Sequence, residues 1–224
     1  MKLIANPGHI TSPFHSGVRA LPLVALLTLG AGSQAQAAPL NLTLLDFPDI
    51  VSSFIDVNYN AGTDAFTAIG FALELDDDGS VPAEAIAGGT FDLTAVIDGS
   101  GALSTGSLSI GGTVASLGFN SGTLLTGNLT AFGFLDSGGD PLEFLFDVTG
   151  GDAAGLYGSI GGIILGATGF GGNFTSDFDN LVGGVPGTGS AVANVAPVPL
   201  PAAIWLFGAG LLGLVGLGRN RVRV

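Results

Sequence analysis

From Leu40 onward the chain alternates apolar and polar side chains with a period of two. Leu40, Leu42 and Leu44 fall on one side and Asn41 and Thr43 on the other, as a half-buried strand requires. Ile55, Val57 and Tyr59 then oppose Asp56, Asn58 and Asn60. Ile69, Phe71, Leu73 and Leu75 alternate with Ala68, Gly70, Ala72 and Glu74, which predicts a strand with the large residues inward and a stop at Asp76-Asp77-Asp78-Gly79. Phe91, Leu93, Ala95 and Ile97 repeat the scheme up to Asp98-Gly99, and Leu108 and Ile110 form a weaker run. Leu124 to Leu135 is the longest candidate. Thr126, Asn128 and Thr130 oppose Leu125, Leu129 and Ala131, but Phe132 and Phe134 then fall on the polar side, so the pattern predicts a bulge or a strand covered on both faces. Leu142, Phe144, Phe146 and Val148 alternate with Glu143 and Asp147. A last Gly-rich pair is expected over Ile163 to Phe170 and Asn173 to Phe178.

None of these runs has a 3.6-residue period, and Pro82 to Ala87 allows at most one helical turn. About eight to ten short strands separated by turn residues predict an all-β, Gly-rich, β-sandwich-like domain. The alternative is a β-solenoid, because Gly-Gly-polar-apolar recurs at Gly88, Gly111 and Gly171; its intervals of 23 and 60 residues lack the fixed period a solenoid needs. The domain is expected over 39–180. Residues 181–197, uncharged and rich in Gly, Pro, Val and Ala, read as a flexible linker.

Both ends of the chain carry membrane patterns. Residues 1–38 hold Lys2 and Arg19, an apolar run from Leu21 to Leu29, and small residues closing on Ala35, Ala37 and Ala38, an A-x-A pattern for signal peptidase. The apolar run is too short to span a bilayer, so this reads as a cleaved signal peptide. Residues 198–224 are tripartite: Val198, Pro199, Leu200, Pro201 and Ala202; then an uncharged apolar stretch, 202–218; then a basic tail, 219–224, with Arg219, Arg221 and Arg223. The stretch has about the minimum length for a transmembrane helix across a ~30 Å hydrocarbon core. The arginines predict a cytoplasmic C-terminus, with everything upstream on the other side. Two prolines keep the motif out of helix and extended, the form proteases bind.

Composition changes the picture chiefly through charge. The protein has 5 basic and 18 acidic residues, a formal net charge of −13. The acidic residues all lie between Asp46 and Asp179, and the basic ones all lie at or before Arg19 or from Arg219 onward. The body is thus strongly anionic without an internal cation, which excludes electrostatic binding of nucleic acid. There is no Cys, and both His precede Ser16, so Ser-His-Asp and Cys-His nucleophiles, Lys Schiff bases and His-ligated zinc are excluded from the body. Carboxylates alone could act as acid and base, and the body has only two Tyr and no Trp to build a sugar platform, so a non-enzyme is expected. No cofactor is implied, with one exception. Asp76 and Asp78, with Asp77 between and Glu74 and Glu84 flanking, are candidate calcium ligands, since hard cations take several oxygens from a tight loop. The spacing is not that of an EF-hand: counted from Glu74, position 12 is Ala85. A solvated acidic hairpin turn is the competing explanation.

The order motif, apolar span, basic end resembles the PEP-CTERM class of bacterial sorting signals, in its V-P-L-P-A variant. The resemblance rests on Val198 to Ala202, the span around Trp205 to Phe207 and the closing arginines, about the last 27 residues. It implies processing by an exosortase-like membrane protease after signal peptidase. It also implies an inner-membrane intermediate held by its C-terminal helix, and delivery to the cell surface or an extracellular polysaccharide matrix. The domain would serve there in structure or adhesion.

Overall fold

The computed structural model describes residues 38–135 and 137–199. The alternating runs become strands, and every strand pair is antiparallel. The long ones are β1 (Asp49–Asn60), β2 (Ala65–Asp76), β4 (Ala87–Ile97), β5 (Leu103–Val114), β6 (Phe119–Gly133), β7 (Leu142–Gly150), β8 (Ile160–Gly166) and β10 (Ala191–Pro197). Two-residue strands β3 (Glu84–Ala85) and β9 (Phe178–Asp179) pair onto β2 and β1. Neighbours run β1-β2-β4-β5-β6-β7-β8-β10, and β10 returns to β1 through Ile50↔Val195 and Ser52↔Ala193. The all-β expectation holds. The architecture is neither sandwich nor solenoid but a closed eight-stranded up-and-down barrel. Alternation is identical in all three; what decides is that β1 pairs on both edges, with register slips near Ser52 to Asp56 that let it bend.

An eight-stranded barrel is just wide enough to be filled by its own side chains, and this one is filled with aromatics. Phe132 and Phe144 have ring centroids 4.7 Å apart, Phe66 and Phe144 5.6 Å, and Tyr59 and Phe174 4.9 Å in a T-shape. Phe170, Phe174 and Phe178 belong to the connection after β8, which folds inward and plugs one mouth; the expected strand pair over 163–178 is therefore only β8 and β9. Beneath Tyr59, whose hydroxyl donates to the carbonyls of Ile97 (2.9 Å) and Phe174 (3.1 Å), the plug is tied to the wall. The other mouth is stoppered by the single-turn helix α1 (Ala154–Tyr157), whose buried Tyr157 donates to the Val195 carbonyl at 2.6 Å. Phe146 lies over two glycines, Gly127 and Gly161; a Cβ on either would overlap its ring.

The outside carries a long polar row, although Phe54, Ile69, Phe71 and Leu73 are also exposed on it. Thr67↔Thr94, Thr94↔Ser107, Ser107↔Asn128 and Asn128↔Asp147 form one row across five strands. A lipid-embedded barrel has its apolar band outside; here most of the large apolar residues of the strands face in.

Three expectations are corrected. Ile69, Phe71 and Leu73 point outward, at 51%, 56% and 39% exposure, while Phe66, Ala68 and Ala72 face the core. The bulge in β1 brings Ile55 so close to Gly70 that a Cβ there would lie 2.6 Å from Ile55 Cγ1, so the small residues of β2 face in. Leu40 to Leu44 is not a strand. Asn41 adopts φ 52°, and the amides of Asn41 and Leu42 donate to the Glu143 carboxylate on the outside of β7, at 2.8 and 3.1 Å. Residues 181–197 are not a flexible linker. Their second half is β10, in which Ala191, Ala193 and Val195 face the core and a full ladder joins β8. The composition of small apolar residues that reads as linker also suits a crowded barrel wall. The bulge expected in the longest strand is present: β6 slips against β7 between Leu129 and Ala131, which turns Phe132 and Phe134 inward.

Candidate functional site

The two ends of the described chain meet. β10 runs Val195↔Ile163, Ala196↔Gly162 and Pro197↔Gly161 along β8, and the Pro197 carbonyl accepts the Leu45 amide at 3.0 Å. Val198, half-buried, and Pro199, exposed, follow at once. The motif therefore starts directly on a barrel strand, with no spacer. Leu200, Pro201 and Ala202, the apolar stretch 202–218 and Arg219, Arg221 and Arg223 lie outside the described residues, as do Ala35 and Ala37. Ala38 is the first described residue and is exposed. Among the described residues no helix is long and apolar enough to cross a membrane.

The acidic turn sits at the same end of the barrel as Pro197. Asp76 closes β2, and its Oδ1 accepts the amides of Asp78 (3.2 Å) and Gly79 (2.6 Å); Asp78 Oδ1 accepts the Ser80 amide at 2.9 Å. Asp76, Asp77 and Asp78 can each place a carboxylate oxygen within 4.8 Å of the others'. That suits a hard cation with oxygen ligands, and the same hydrogen bonds make a stable turn without one. A fourth carboxylate, Asp49, lies directly across the ladder from Asp76. Its Oδ1 is buried without a hydrogen-bond partner, and burial first, then the charge of Asp76, pushes its pKa up to about 6. Asp49 precedes Asp76 by 27 positions in the chain, so only the β1–β2 register shows the pair.

Several other carboxylates are matched to backbone amides in place of cations. Asp56 accepts from Gly187 and Gly189, Asp177 from Ala61, Asp152 from Ser121, and Asp140 from the amide and hydroxyl of Thr168. Asp98 accepts from the Ser100 hydroxyl and from the Ala102 and Ser100 amides, which hold its pKa below the usual carboxylate value. These residues build turns, and the missing internal salt bridges are replaced by charge-assisted hydrogen bonds. A comparison with known proteins finds no matching family model, and no significant match among curated proteins or solved structures.

Proposed function

We propose that this protein is an exported bacterial surface or matrix protein, handled by a C-terminal sorting signal, whose acidic barrel has a structural or adhesive role and no catalytic one. The observation that carries the reading is the ordered tail: motif at Val198 to Ala202, apolar span 202–218, arginines at 219, 221 and 223. In this account signal peptidase cuts near Ala37, and the 202–218 helix holds an inner-membrane intermediate. An exosortase-like protease then cuts near the motif and releases the barrel to the surface or to an exopolysaccharide matrix. The fold adds a constraint on that step. Both edges of β10 are paired up to Pro197 on one side and Val195 on the other, so a protease that binds its substrate extended can grip upstream of Val198 only by opening the barrel. The cut accordingly belongs at Pro199 or beyond. The reading is tested by replacing Pro199 and Pro201 with alanine in the host. Processing should fall while the barrel still folds, and unchanged release would contradict it.

A second reading, calcium binding at the Asp76–Asp78 turn, is favoured by the three convergent carboxylates. Millimolar calcium should then raise the melting temperature of the protein, and the rise should vanish in Asp76→Ala/Asp78→Ala. An equal rise in that variant would mean only charge screening of the acidic body.

A further inference from the structure

The outer face where β1, β2 and β4 meet carries a cleft that neither reading uses. Phe54, Ile69 and Phe71 are 63%, 51% and 56% exposed there. They line a depression of about 280 Å³ together with Thr90, Asp56 and Asp92. Phe54 occupies the extra position of the β1 bulge, between Ser53↔Phe71 and Asp56↔Ile69, at φ 53°. That left-handed conformation is one a non-glycine residue adopts only at a cost. Gly70 permits it, since a Cβ there would lie 3.0 Å from the Phe54 carbonyl oxygen. Backbone strain thus holds a large apolar ring in water, an arrangement that does nothing for folding. Exposed aromatic clusters of this kind mark binding surfaces.

Two carboxylates frame the rings. Asp56 on β1 and Asp92 on β4 both lie directly opposite Ile69, one on each side. With strands ~4.8 Å apart, their backbones are separated by roughly 10 Å. Asp56 is fixed by the amides of Gly187 and Gly189, the latter at 2.7 Å. Charge then selects the occupant. The barrel carries no Lys or Arg between Arg19 and Arg219, so a second copy packed face to face on this cleft would set its own Asp56 and Asp92 against these two. Nucleic acids, acidic glycans and anionic headgroups are repelled for the same reason. An arginine or lysine side chain fits both halves of the cleft. Its methylene stem covers apolar surface, and its cation takes an aromatic face and a carboxylate together.

We propose that this cleft docks a basic segment of a partner polypeptide, with an arginine or lysine side chain laid over Phe54 and Phe71 and its charge at Asp92 and Asp56. The full-length protein in detergent micelles is titrated with a rhodamine-labelled Arg-Gly-Arg-Gly-Arg peptide at roughly 0.15 M salt, where long-range attraction is screened. Its citrulline counterpart, neutral but of the same shape, serves as control. Asp92→Asn and Phe71→Ser should each weaken binding about tenfold. Asp147→Asn makes the same charge change on the exposed outside of β7 and should change binding less than about twofold. Phe54→Gly removes the strained side chain, so its melting temperature should hold or rise while binding falls, which separates a lost site from a lost fold. Equal weakening by Asp92→Asn and Asp147→Asn would reduce the effect to diffuse attraction by an acidic body and overturn the proposal, as would binding unaffected by Phe71→Ser. Saturable binding of neutral maltoheptaose that Phe71→Ser abolishes and Asp92→Asn spares would assign the cleft to a glycan instead. A concentration-dependent dimer abolished by Phe71→Ser would assign it to a second copy.

Discussion

Phe146 and Phe71 both sit in strands that pair on two sides, β7 and β2, the first between Leu145 and Asp147 and the second between Gly70 and Ala72, yet one is fully buried and the other 56% exposed. The difference lies across the ladder. Phe146 faces Gly161 directly across the ladder and Gly127 diagonally, and the missing side chains of both make room for its ring inside the barrel. Phe71 lies next to Gly70, where the β1 bulge comes too close for a Cβ, and between the small inner positions Gly70 and Ala72. Alternation identifies two faces; cross-strand volume decides which one is the core.

The largest way to break this comparison is at Phe146. Phe146→Ala should cost about 3–5 kcal/mol, read as a fall in urea midpoint at unchanged slope, because Gly127 and Gly161 cannot refill the space. Phe71→Ser should stay within about 0.5 kcal/mol of the parent in the same experiment. If both substitutions were equally costly, the outward placement of Phe71 would be wrong.

A smaller effect separates two carboxylates by pH. Asp49 has its folded-state pKa raised from 3.8 to about 6, so the folded state binds its proton more tightly than the unfolded chain. The stability this gives is fully present below pH 3.8 and is lost as pH rises through 6. Asp49→Asn should therefore stabilise the protein at pH 7 by about 1–2 kcal/mol, allowing for the partial exposure of the group. It should have almost no effect near pH 3.5. Asp98 has the opposite sign: its pKa is lowered, chiefly by the Ser100 hydroxyl, so it contributes stability above the usual carboxylate range that is lost in acid. Asp98→Asn should leave a protein less stable at pH 7 and nearly unchanged at pH 3, measured by thermal melts across that range. A small gain of about 0.5–1 kcal/mol is expected for Phe54→Gly from relieving the positive φ, still larger than the change expected at Phe71.

Much of the barrel wall was legible in the chain. The runs around Val57, Leu93, Leu108 and Phe144 have one apolar face and turn residues after them, and the slip at Phe132 in β6 announced its own bulge. Closure was not legible, because nothing in the alternation says that β1 must serve two neighbours. β10 was hidden by Ala, Val and Asn residues whose smallness suits a wall facing aromatic rings as well as it suits a linker. The N-terminal leucines alternate as a strand would, but Glu143 offers the amides of Asn41 and Leu42 a better acceptor than a sheet edge. The same limit applies to sites. Asp76 to Asp78 are adjacent and easily seen, whereas Asp49 reaches Asp76 and Asp92 reaches Ile69 only through register.

The most direct test of the proposed handling is the intact mass of the mature protein, taken separately from the membrane and extracellular fractions of its own host. The account predicts an extracellular form that begins near Ala38, keeps all of β10 and ends at or just after Pro199 to Ala202, without Trp205. A chain that retains Arg219, Arg221 and Arg223 and is found only in the membrane would contradict it.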